Sequence, residues 1–507
     1  MSTNTYLAIT IGPIYKTLQK AQKTREIWMA SYLFSIVMKN LWHQAKELGT
    51  IYLPTDPGEE KRKGVGIFPD RLIMTIIDTT IDIQAKVIEP AIKNCAESLG
   101  LDEATLKKYL QIHHLIISED TLMSFEYKDI DGKNVESFVH RINFLLNNME
   151  LNSSYSNSNE AFFSELFGSR TRSKFVKNAF GERRHNFPSI LEISAKDKLE
   201  DSVLELLYKD ECSDDESSQI NKAINNLSKV HKYIAILSGD GDNFGNVMGA
   251  LGSEKAEILK FSDKLVTYSQ SIIDIIHNYG GTVIYIGGDD LLCFAPVENK
   301  GDNIFNLIEN LNVKFKETFS EEIYKIHKVS MSYGLSISYY KYPLNEALQL
   351  SYSLLNGKAK KNPLKNCLAY QVLLHGGTYR DVLIPFDEAY KDFILMLKNF
   401  KEKDQLLLSL THKFVEDDVI LSLCLQDSKR LAGYFENHFD ISERRSESVR
   451  NFAEQVKAST SKTYLQMQKQ KESIKDEISK ARFDVERETL NQLNTICRTL
   501  NFLIPNE

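Results

Sequence analysis

Cysteine is scarce in this chain: its 507 residues contain six cysteines, and no two of them form a Cys-x-x-Cys pair. They stand at Cys95, Cys212, Cys293, Cys367, Cys424 and Cys497. Zinc fingers and disulfide frameworks depend on closely spaced cysteines, so neither is expected to organise this protein. Scattered thiols suit a reducing compartment, and we expect a cytoplasmic protein.

Long apolar runs and an excess of positive charge are also missing. No stretch approaches the roughly 20 apolar residues that a membrane-spanning helix needs, and we expect no membrane partner. Residues 1–11 contain neither a basic region nor a cleavage pattern, so they do not predict a signal peptide. The net charge of −7 argues against a protein that coats nucleic acid through charge alone. Local basic stretches at 61–63, 170–177 and 358–365 are typical of solvated faces, with nucleic-acid contact as the alternative.

Two short strings near the middle of the chain place carboxylates at the ends of apolar runs. Residues 238–245 read Ser-Gly-Asp-Gly-Asp-Asn-Phe-Gly and follow an apolar run at 233–237. Residues 285–290 read Tyr-Ile-Gly-Gly-Asp-Asp and precede an apolar run at 291–294. Either string alone is typical of an ordinary turn rich in glycine and aspartate. Together they predict one metal site shared by neighbouring strands.

The chemistry of that site favours a divalent cation bound to nucleotide phosphates. Four aspartates on adjacent strand ends repel one another, and a bound cation relieves the repulsion. Mg²⁺ prefers one or two carboxylates together with phosphate oxygens and water. A pair of such ions about 4 Å apart clamps the attacking and leaving oxygens of an in-line displacement. The two strings therefore predict nucleotidyl transfer at a two-metal site that holds Mg²⁺ or Mn²⁺.

The elements around the strings follow the order β-α-β-β-α-β. Strands are predicted at 232–237, 282–285, 291–294 and 329–339, and helices at 253–279 and 303–319. Gly280-Gly281 ends the first of these helices in the way a C-cap does. This order is that of a ferredoxin-like palm, in which the first strand lies beside the central hairpin. Asp240 and Asp289 are therefore expected to share one ion.

Composition and periodicity predict an α+β protein that ends in a helical bundle. Residues 1–78 are the early part of a first palm domain and contain a strand at 6–11, a long amphipathic helix at 15–47 and a strand after Gly66. A mainly helical insertion follows at 79–185, and the chain returns to the first palm and a linker at 186–230. The second, motif-bearing palm is predicted at 231–380 and a helical domain at 381–507. The Ser/Asn-rich stretch 152–159 predicts a mobile loop, and the acidic stretch 201–218 an exposed one.

Three further strings precede the two motifs in the chain. They are residues 9–14 with the helix at 23–33, Phe-Pro-Asp-Arg at 68–71, and Asn-Phe-Pro-Ser-Ile-Leu-Glu-Ile at 186–193. In this order, and followed by Asp-Gly-Asp and Gly-Gly-Asp-Asp, they resemble the large cyclase/polymerase subunit of type III CRISPR effector complexes, in its III-B (Cmr) branch. The resemblance runs from residue 1 to about 380 and is weaker over the helical C-terminal part.

The resemblance implies two palm domains that face each other and bind two nucleotides between them, with the metals on the second palm. It implies that target RNA paired to a guide crRNA activates the site. ATP is then made into a signalling nucleotide, usually cyclic oligoadenylate, or in some members joined to S-adenosylmethionine. The partners implied are the other Cmr subunits, namely a small helical subunit, backbone subunits and RAMP proteins, together with crRNA and target RNA.

The sequence departs from the usual family pattern in two respects. Many members begin with an HD nuclease domain, whereas this chain has no His-Asp dipeptide and its first palm is predicted to begin at residue 6. Many members also carry a cysteine-ligated zinc site, for which this chain has no suitable spacing. We therefore expect nucleotide synthesis without HD-type cleavage of single-stranded DNA.

The site residues follow from the motifs and the resemblance. Asp240, Asp289 and Asp290 are the expected catalytic metal ligands, and Asp242 is a fourth candidate that also suits a turn cap. Nucleotide contacts are expected from Ser238, Gly239, Gly241, Asn243, Phe244, Gly245, Gly287 and Gly288. The glycines allow backbone amides to approach phosphates, whereas Phe244 also suits core packing. Lys358 and Lys360 stand where the resemblance places a lysine near the triphosphate, and a solvated surface is the alternative for each.

Asp70 stands where the family pattern usually has asparagine. A carboxylate that faces the second nucleotide disfavours a second triphosphate and favours a positively charged acceptor such as S-adenosylmethionine. The alternative is that Asp70 pairs with Arg71 or caps a turn.

Two other functions compete with this interpretation. A stand-alone signalling enzyme of the diguanylate- or adenylate-cyclase type shares the metal motifs, but it leaves the helix around Trp28 and the Phe187-Pro188-Ser189 segment unexplained. A non-catalytic scaffold with a relic palm leaves the clustered carboxylates unexplained, because they are costly to keep without a metal.

Overall fold

The computed structural model describes residues 4–58, 62, 64–128, 135–151, 160–168, 174–177, 187–207, 209, 212–363, 365–374, 377–399, 405–439 and 447–503. The predicted loop at 152–159 lies outside the described residues, as do parts of the basic stretches at 61–63, 170–177 and 358–365.

The first palm is an antiparallel sheet with the spatial order β2-β3-β1-β4. Its strands are β1 (Thr5–Gly12), β2 (Gly49–Leu53), β3 (Arg71–Ile76) and β4 (Gln111–Ser118). Helices α1 (Ile14–Lys20) and α2 (Thr24–Ala45) connect β1 to β2, and α3 (Glu89–Leu99) and α4 (Glu103–Tyr109) connect β3 to β4. The predicted ferredoxin-like order is therefore confirmed for this domain.

One strand of the first palm lies in a range that was predicted to be a mainly helical insertion. Strand β4 lies within 79–185, the range assigned to a mainly helical insertion, and it pairs with β1 along its whole length. The rest of that range is helical where it is described, in α5 (Glu119–Ser124), α6 (Phe138–Leu151) and α7 (Glu160–Phe167). The helix predicted at 15–47 is also interrupted, since α1 ends at Lys20 and α2 begins at Thr24.

Helix α2 is the centre of the first palm's core. Trp28 is fully buried, stacks on Tyr32 and Phe187 at centroid distances of 5.3 and 5.2 Å, and donates its indole N–H to the Gly64 carbonyl at 2.6 Å. The Phe187 contact joins the segment that begins at this residue to the first palm. The linker then continues through α8 (Ile190–Ser194), α9 (Asp201–Leu207) and α10 (Asp214–Asn226).

The second palm repeats this topology on a larger sheet, with the spatial order β12-β11-β10-β5-β7-β6. Its strands are β5 (Tyr233–Asp242), β6 (Thr282–Gly287), β7 (Asp290–Pro296), β10 (Ser330–Tyr339), β11 (Cys367–Leu374), β12 (Gly377–Thr378) and β13 (Val382–Pro385), with the short pair β8 (Glu298–Asn299) and β9 (Asp302–Asn303) outside it. Its helices are α11 (Phe244–Leu251), α12 (Lys255–Tyr279), α13 (Ile304–Thr318), α14 (Glu322–Ile326) and α15 (Leu344–Leu354). The predicted position of β5 beside the β6–β7 hairpin is confirmed.

The two palms meet along β6. The Ile286 amide donates to the Gly66 carbonyl at 3.0 Å, and Gly66 forms an isolated bridge with Tyr285. Arg62 also forms an ion pair with Asp274 of α12 at 3.1 Å. These contacts place the Phe-Pro-Asp-Arg string of the first palm opposite the Gly-Gly-Asp-Asp hairpin of the second.

The C-terminal part is helical in its described residues, as predicted. It consists of α16 (Glu388–Asn399), α17 (Gln405–Glu416), α18 (Asp418–Leu425), α19 (Ser428–Phe439), α20 (Glu447–Ser473), α21 (Glu477–Arg482) and α22 (Val485–Leu503). The predicted boundary at 381 was wrong, because β13 pairs with β11 and belongs to the palm sheet. In the described part of the chain, no helix has the length and apolar character needed to cross a membrane.

Candidate active site

The catalytic candidates lie where β5 and the β6–β7 hairpin end together. The β5–β7 ladder ends with Gly239 opposite Leu291, so Asp240 and Asp290 are the next residues on the two strands. Gly287 pairs with Asp290 across the hairpin, which leaves Gly288 and Asp289 at its tip. Gly288 has a φ of +67°, a conformation that glycine adopts without strain. The hairpin therefore presents two successive carboxylates beside Asp240.

Gly241 shows how closely the two strings approach each other. A Cβ atom built on Gly241 would lie 2.6 Å from Oδ2 of Asp289 and would overlap the Phe244 ring. A side chain at this position would therefore displace the Asp289 carboxylate. The glycine between the aspartates of the first string is what allows the second string to pack against it.

The carboxylates of the cleft strongly influence one another. The protein around Asp289 raises the pKa of its carboxyl group, and the negative charge of Asp240 raises it further. The side chain of Asp290 reaches solvent in the cleft, yet the surrounding protein and the charges of Asp289 and Asp240 raise its pKa well above the ordinary range. Asp70 has a raised pKa as well, mainly through desolvation. This is a concentration of negative charge that a cation would relieve.

Oxygen donors of this kind fit Mg²⁺ or Mn²⁺. As they stand, no three His, Cys, Asp or Glu side chains in the described ranges converge closely enough to enclose an ion. Mg²⁺ needs only one or two carboxylates when phosphate oxygens and water complete its octahedral shell. Asp240, Asp289 and Asp290 therefore remain the predicted ligands of an ion whose shell a nucleotide would complete.

Lys360 lies directly against this cluster. Its ammonium group is 2.8 Å from Oδ2 of Asp240 and 3.1 Å from Oδ1 of Asp242, and it donates a hydrogen bond to the Gly241 carbonyl. Burial alone would lower the pKa of Lys360, but the two carboxylates outweigh that effect and hold the pKa above its ordinary value. Lys358, the other candidate, is half exposed and pairs with Asp381 at 2.9 Å, outside the cluster. The structure thus brings one of the two predicted lysines to the site.

Asp242 does not reach the cleft. It is fully buried, and its Oδ2 accepts hydrogen bonds from the hydroxyls of Ser330 and Ser332 at 2.8 and 2.7 Å and from the Asn366 amide at 3.0 Å. Its remaining oxygen faces Lys360. This arrangement does not support our expectation that Asp242 ligates a metal, because its oxygens are already engaged.

Several other residues of the first string are structural in this arrangement. The Ser238 hydroxyl is buried and hydrogen-bonds Ser351 at 2.8 Å, so it does not face the cleft. The Phe244 ring packs on Phe261 and Phe319 in the core. Asn243 adopts a positive φ of 64° at the start of α11 and donates its side-chain amide to the Lys328 carbonyl. None of these three side chains lines either of the two cavities beside the carboxylates, which are described below.

The remaining glycines of the strings lie close to other side chains. A Cβ atom on Gly239 would lie 2.9 Å from the Tyr333 ring, and one on Gly245 would lie 3.0 Å from Nε2 of His140. A Cβ atom on Gly287 would overlap the hydroxyl of Tyr285. Gly239 and Gly245 thus allow close packing at this end of the sheet, and Gly287 makes room for a tyrosine at the cleft.

Two cavities flank the carboxylates, and residues of both palms line each of them. The first, of about 290 Å³, is lined by Ser262 and Gln270 of α12, by the hairpin tip and by first-palm residues such as Ile67. The second, of about 260 Å³, is lined by Tyr15 of α1 and Phe34 of α2 together with second-palm residues such as Asp240. Both cavities share the wall formed by Pro69, Asp70, Tyr285 and Asp290. Sequence reasoning gave no role to Tyr285, although it begins the second string.

Two stretches of the chain are similar to known protein families. A family model described as Cas10/Cmr2, second palm domain, matches residues 233–369, and one described as CRISPR-associated protein Cmr2, N-terminal, matches residues 6–99. The CRISPR system Cmr subunit Cmr2 of Pyrococcus furiosus is 29% identical over 192 residues. That match covers 33% of this chain and 22% of the relative, so less than a quarter of the relative's length is matched.

Solved structures share the fold over most of the chain. A chain in the structure of Type III-B Cmr-beta bound to cognate target RNA has a TM-score of 0.55 at 12% identity, covering 88% of this chain and 80% of that chain. A chain in the Csm1-Csm4 cassette in complex with cA4 has a TM-score of 0.51 at 10% identity, covering 99% and 70%. At these identities the likeness shows the fold.

Proposed function

We propose that this chain, which is similar to Cas10/Cmr2 proteins in both palms, is the nucleotidyl-transferring subunit of an RNA-guided type III CRISPR complex. Target RNA binding would activate it to make a signalling nucleotide from ATP. The observation that carries the proposal is the meeting of Asp240, Asp289 and Asp290 at one end of the second palm, between two cavities that share a wall. A relic site would have no reason to keep this concentration of charge.

The residues of the cleft would have separate roles in binding metal and phosphate. Asp240, Asp289 and Asp290 would hold Mg²⁺ or Mn²⁺, which when bound neutralises phosphate charge and supports the in-line displacement. Lys360 would donate to phosphate oxygens and stabilise the charge that develops on the pyrophosphate leaving group. The attacking group is a hydroxyl or other nucleophile of the second substrate. The protein therefore needs no catalytic triad of its own.

Asp70 supports a proposal for the second substrate. Arg71 forms an ion pair with Glu150 at 3.0 Å and donates to Asn143 and Asn147, and in the described part of the chain no ion pair joins it to Asp70. Asp70 also lines both cavities. A carboxylate between the two substrates favours a positively charged acceptor, and we propose an ATP–S-adenosylmethionine conjugate as the product, with cyclic oligoadenylate as the alternative.

The same proposal covers the partners. The structural relatives described above are parts of assemblies, one of them bound to cognate target RNA. We propose that this chain assembles with the other Cmr subunits, which include a small helical subunit, backbone subunits and RAMP proteins, and with crRNA. The activator would be target RNA paired to that guide.

The test is product analysis on the purified assembly. The chain is purified with its partners, bound crRNA is sought, and ATP with Mg²⁺ or Mn²⁺ is supplied with and without complementary target RNA. We expect a new nucleotide product by mass spectrometry only when target RNA is present. Synthesis by the isolated chain, without crRNA, would favour the stand-alone cyclase. No product under any condition would favour an inactive scaffold.

A further inference from the structure

The buried carboxylate of Asp242 has a role that ligation of a metal does not explain. Three donors converge on its Oδ2: the hydroxyls of Ser330 and Ser332 on β10 and the backbone N–H of Asn366, which precedes β11. These donors come from neighbouring parts of the sheet, and Asp242 itself is 0% exposed. Such a set of donors fixes the orientation of a buried carboxylate.

The fixed orientation aims the second oxygen at one cation. Oδ1 of Asp242 lies 3.1 Å from the ammonium of Lys360, whose side chain is 16% exposed. The same ammonium lies 2.8 Å from Asp240 and donates to the Gly241 carbonyl. Lys360 is therefore held from the protein side by Asp242 and Gly241, while Asp240 holds it from the cleft side.

The ion pairs of Lys360 with Asp240 and with Asp242 respond differently when substrate binds. Asp240 is a proposed metal ligand, so a cation competes with Lys360 for its carboxylate. Asp242 has no access to the cleft and keeps its interaction with Lys360. An ammonium group has three donors, and the one released from Asp240 becomes available to a phosphate oxygen at the same edge. A flexible lysine without Asp242 would have to be ordered when the nucleotide binds, which costs side-chain entropy.

We infer that Asp242 is a positioning residue: it holds the Lys360 ammonium at the edge of the metal site so that Lys360 passes from Asp240 to the triphosphate when metal and nucleotide bind. This inference rests on the proposed function, because it assigns the triphosphate of ATP to Lys360. It separates the two aspartates of the Asp-Gly-Asp string into a metal ligand and a buried counter-ion.

The test compares Asp242→Asn with Asp240→Asn and Lys360→Met in the assembled, target-activated complex. Asp242→Asn retains the shape of the side chain and removes its charge. We measure KM for ATP and kcat, the Mg²⁺ concentration for half-maximal rate, and equilibrium binding of a non-cleavable ATP analogue. Asp381→Asn is the matched control, because it removes the carboxylate partner of Lys358 outside the site.

We expect Asp242→Asn to raise KM for ATP and weaken analogue binding by about tenfold to a hundredfold, the worth of a charged hydrogen bond. The half-maximal Mg²⁺ concentration should stay within about twofold of the wild-type value, as one expects when no ligand of the ion is lost. Lys360→Met should give the same pattern, and the double variant should be no worse than Lys360→Met alone, since the two residues act as a unit.

Two results would overturn the inference. A higher Mg²⁺ requirement in Asp242→Asn, like that of Asp240→Asn, would make Asp242 a metal ligand. A lower unfolding temperature and lower kcat with unchanged KM and analogue binding would make it a purely structural residue. Failure of the proposed function would give a different result: the wild-type complex itself would then neither bind the analogue nor make product.

Discussion

The carboxylates of the cleft have shifted pKa values that link the stability of the fold to pH. Asp70, Asp289 and Asp290 all have raised pKa values, because surrounding protein disfavours their charged forms and neighbouring carboxylates add repulsion. A group whose pKa is higher in the folded than in the unfolded chain stabilises the fold at low pH, and that contribution is lost as the pH rises. The cluster should therefore have a measurable effect on how the stability of the fold depends on pH.

The first prediction concerns Asp289→Asn in metal-free buffer. Desolvation and Asp240 raise the pKa of Asp289 from 3.8 to about 7, so its unfavourable ionisation grows between pH 4 and about 7. With EDTA at pH 8, the variant should unfold about 1–3 °C above the wild type, and the difference should vanish near pH 4. Differential scanning calorimetry measures both values. Equal unfolding temperatures at pH 8 would contradict the electrostatic account of the site.

The second prediction uses the two neighbouring lysines as a matched pair. Lys360→Ala removes the ammonium that contacts Asp240 and Asp242 and should raise KM for ATP about tenfold or more. Lys358→Ala removes only an exposed pair with Asp381 and should change KM by less than about twofold. Steady-state kinetics of the activated complex separate them. Equal effects of the two substitutions would remove Lys360 from the site.

The sequence predicted which carboxylates meet at the cleft, but not the orientation of their neighbours. Asp240, Asp289 and Asp290 were identifiable because apolar runs mark the ends of their strands. Asp242 and Ser238 belong to the same string, yet one is buried against serines of β10 and the other against Ser351. Which side of a strand end faces a cleft depends on these distant partners, and no local pattern records them.

At the scale of elements, the strands differ in how clearly their residue patterns predict them. Strands β5 and β10 are buried almost throughout and form clear apolar runs. Strand β4 lies at the edge of its sheet, is only half-buried and contains two adjacent histidines, so it lacks a clear alternation. Strand β2 is short and similarly half-buried. Edge strands take their structure from the neighbour that they pair with, which explains why these two were missed.

The third prediction tests the close approach of the two strings. Gly241→Ala places a Cβ atom 2.6 Å from Oδ2 of Asp289 and against the Phe244 ring, so the hairpin tip must shift. We expect nucleotide synthesis to fall about a hundredfold, as for a displacement of catalytic groups by about 1 Å. Gly12→Ala, at the end of β1 in the first palm, meets nothing within 4 Å and is the control. Equal activities of the two variants would show that the contact is unimportant.

At the scale of the whole molecule, the site depends on both palms. The two sheets have equivalent orders, β2-β3-β1-β4 and β6-β7-β5-β10, and Asp70 precedes β3 as Asp289 precedes β7. The first palm therefore keeps one acidic residue at its hairpin, but it has Thr10 and Ile11 at the end of β1, where the second palm has Asp240. The proposed metal ligands thus all lie on the second palm, while residues of both palms line the two cavities beside them.

The fourth prediction concerns the choice of acceptor. The activated complex receives ATP alone or ATP with S-adenosylmethionine, and its products are identified by mass spectrometry. We expect a product that contains both moieties, and we expect Asp70→Asn to reduce it about tenfold, because the substitution removes the charge that favours a cationic acceptor. Efficient cyclic oligoadenylate synthesis from ATP alone, unchanged by Asp70→Asn, would contradict this choice.

The most direct test of two-metal nucleotidyl transfer on the second palm is the Asp289→Ala, Asp290→Ala double variant. Both residues stand at a hairpin tip with little core around them, so complex assembly and target RNA binding should remain at wild-type levels. We predict that target-activated incorporation of α-labelled ATP into product falls below detection, at any concentration of Mg²⁺ or Mn²⁺. Product formation at the wild-type rate by a correctly assembled double variant would contradict the account.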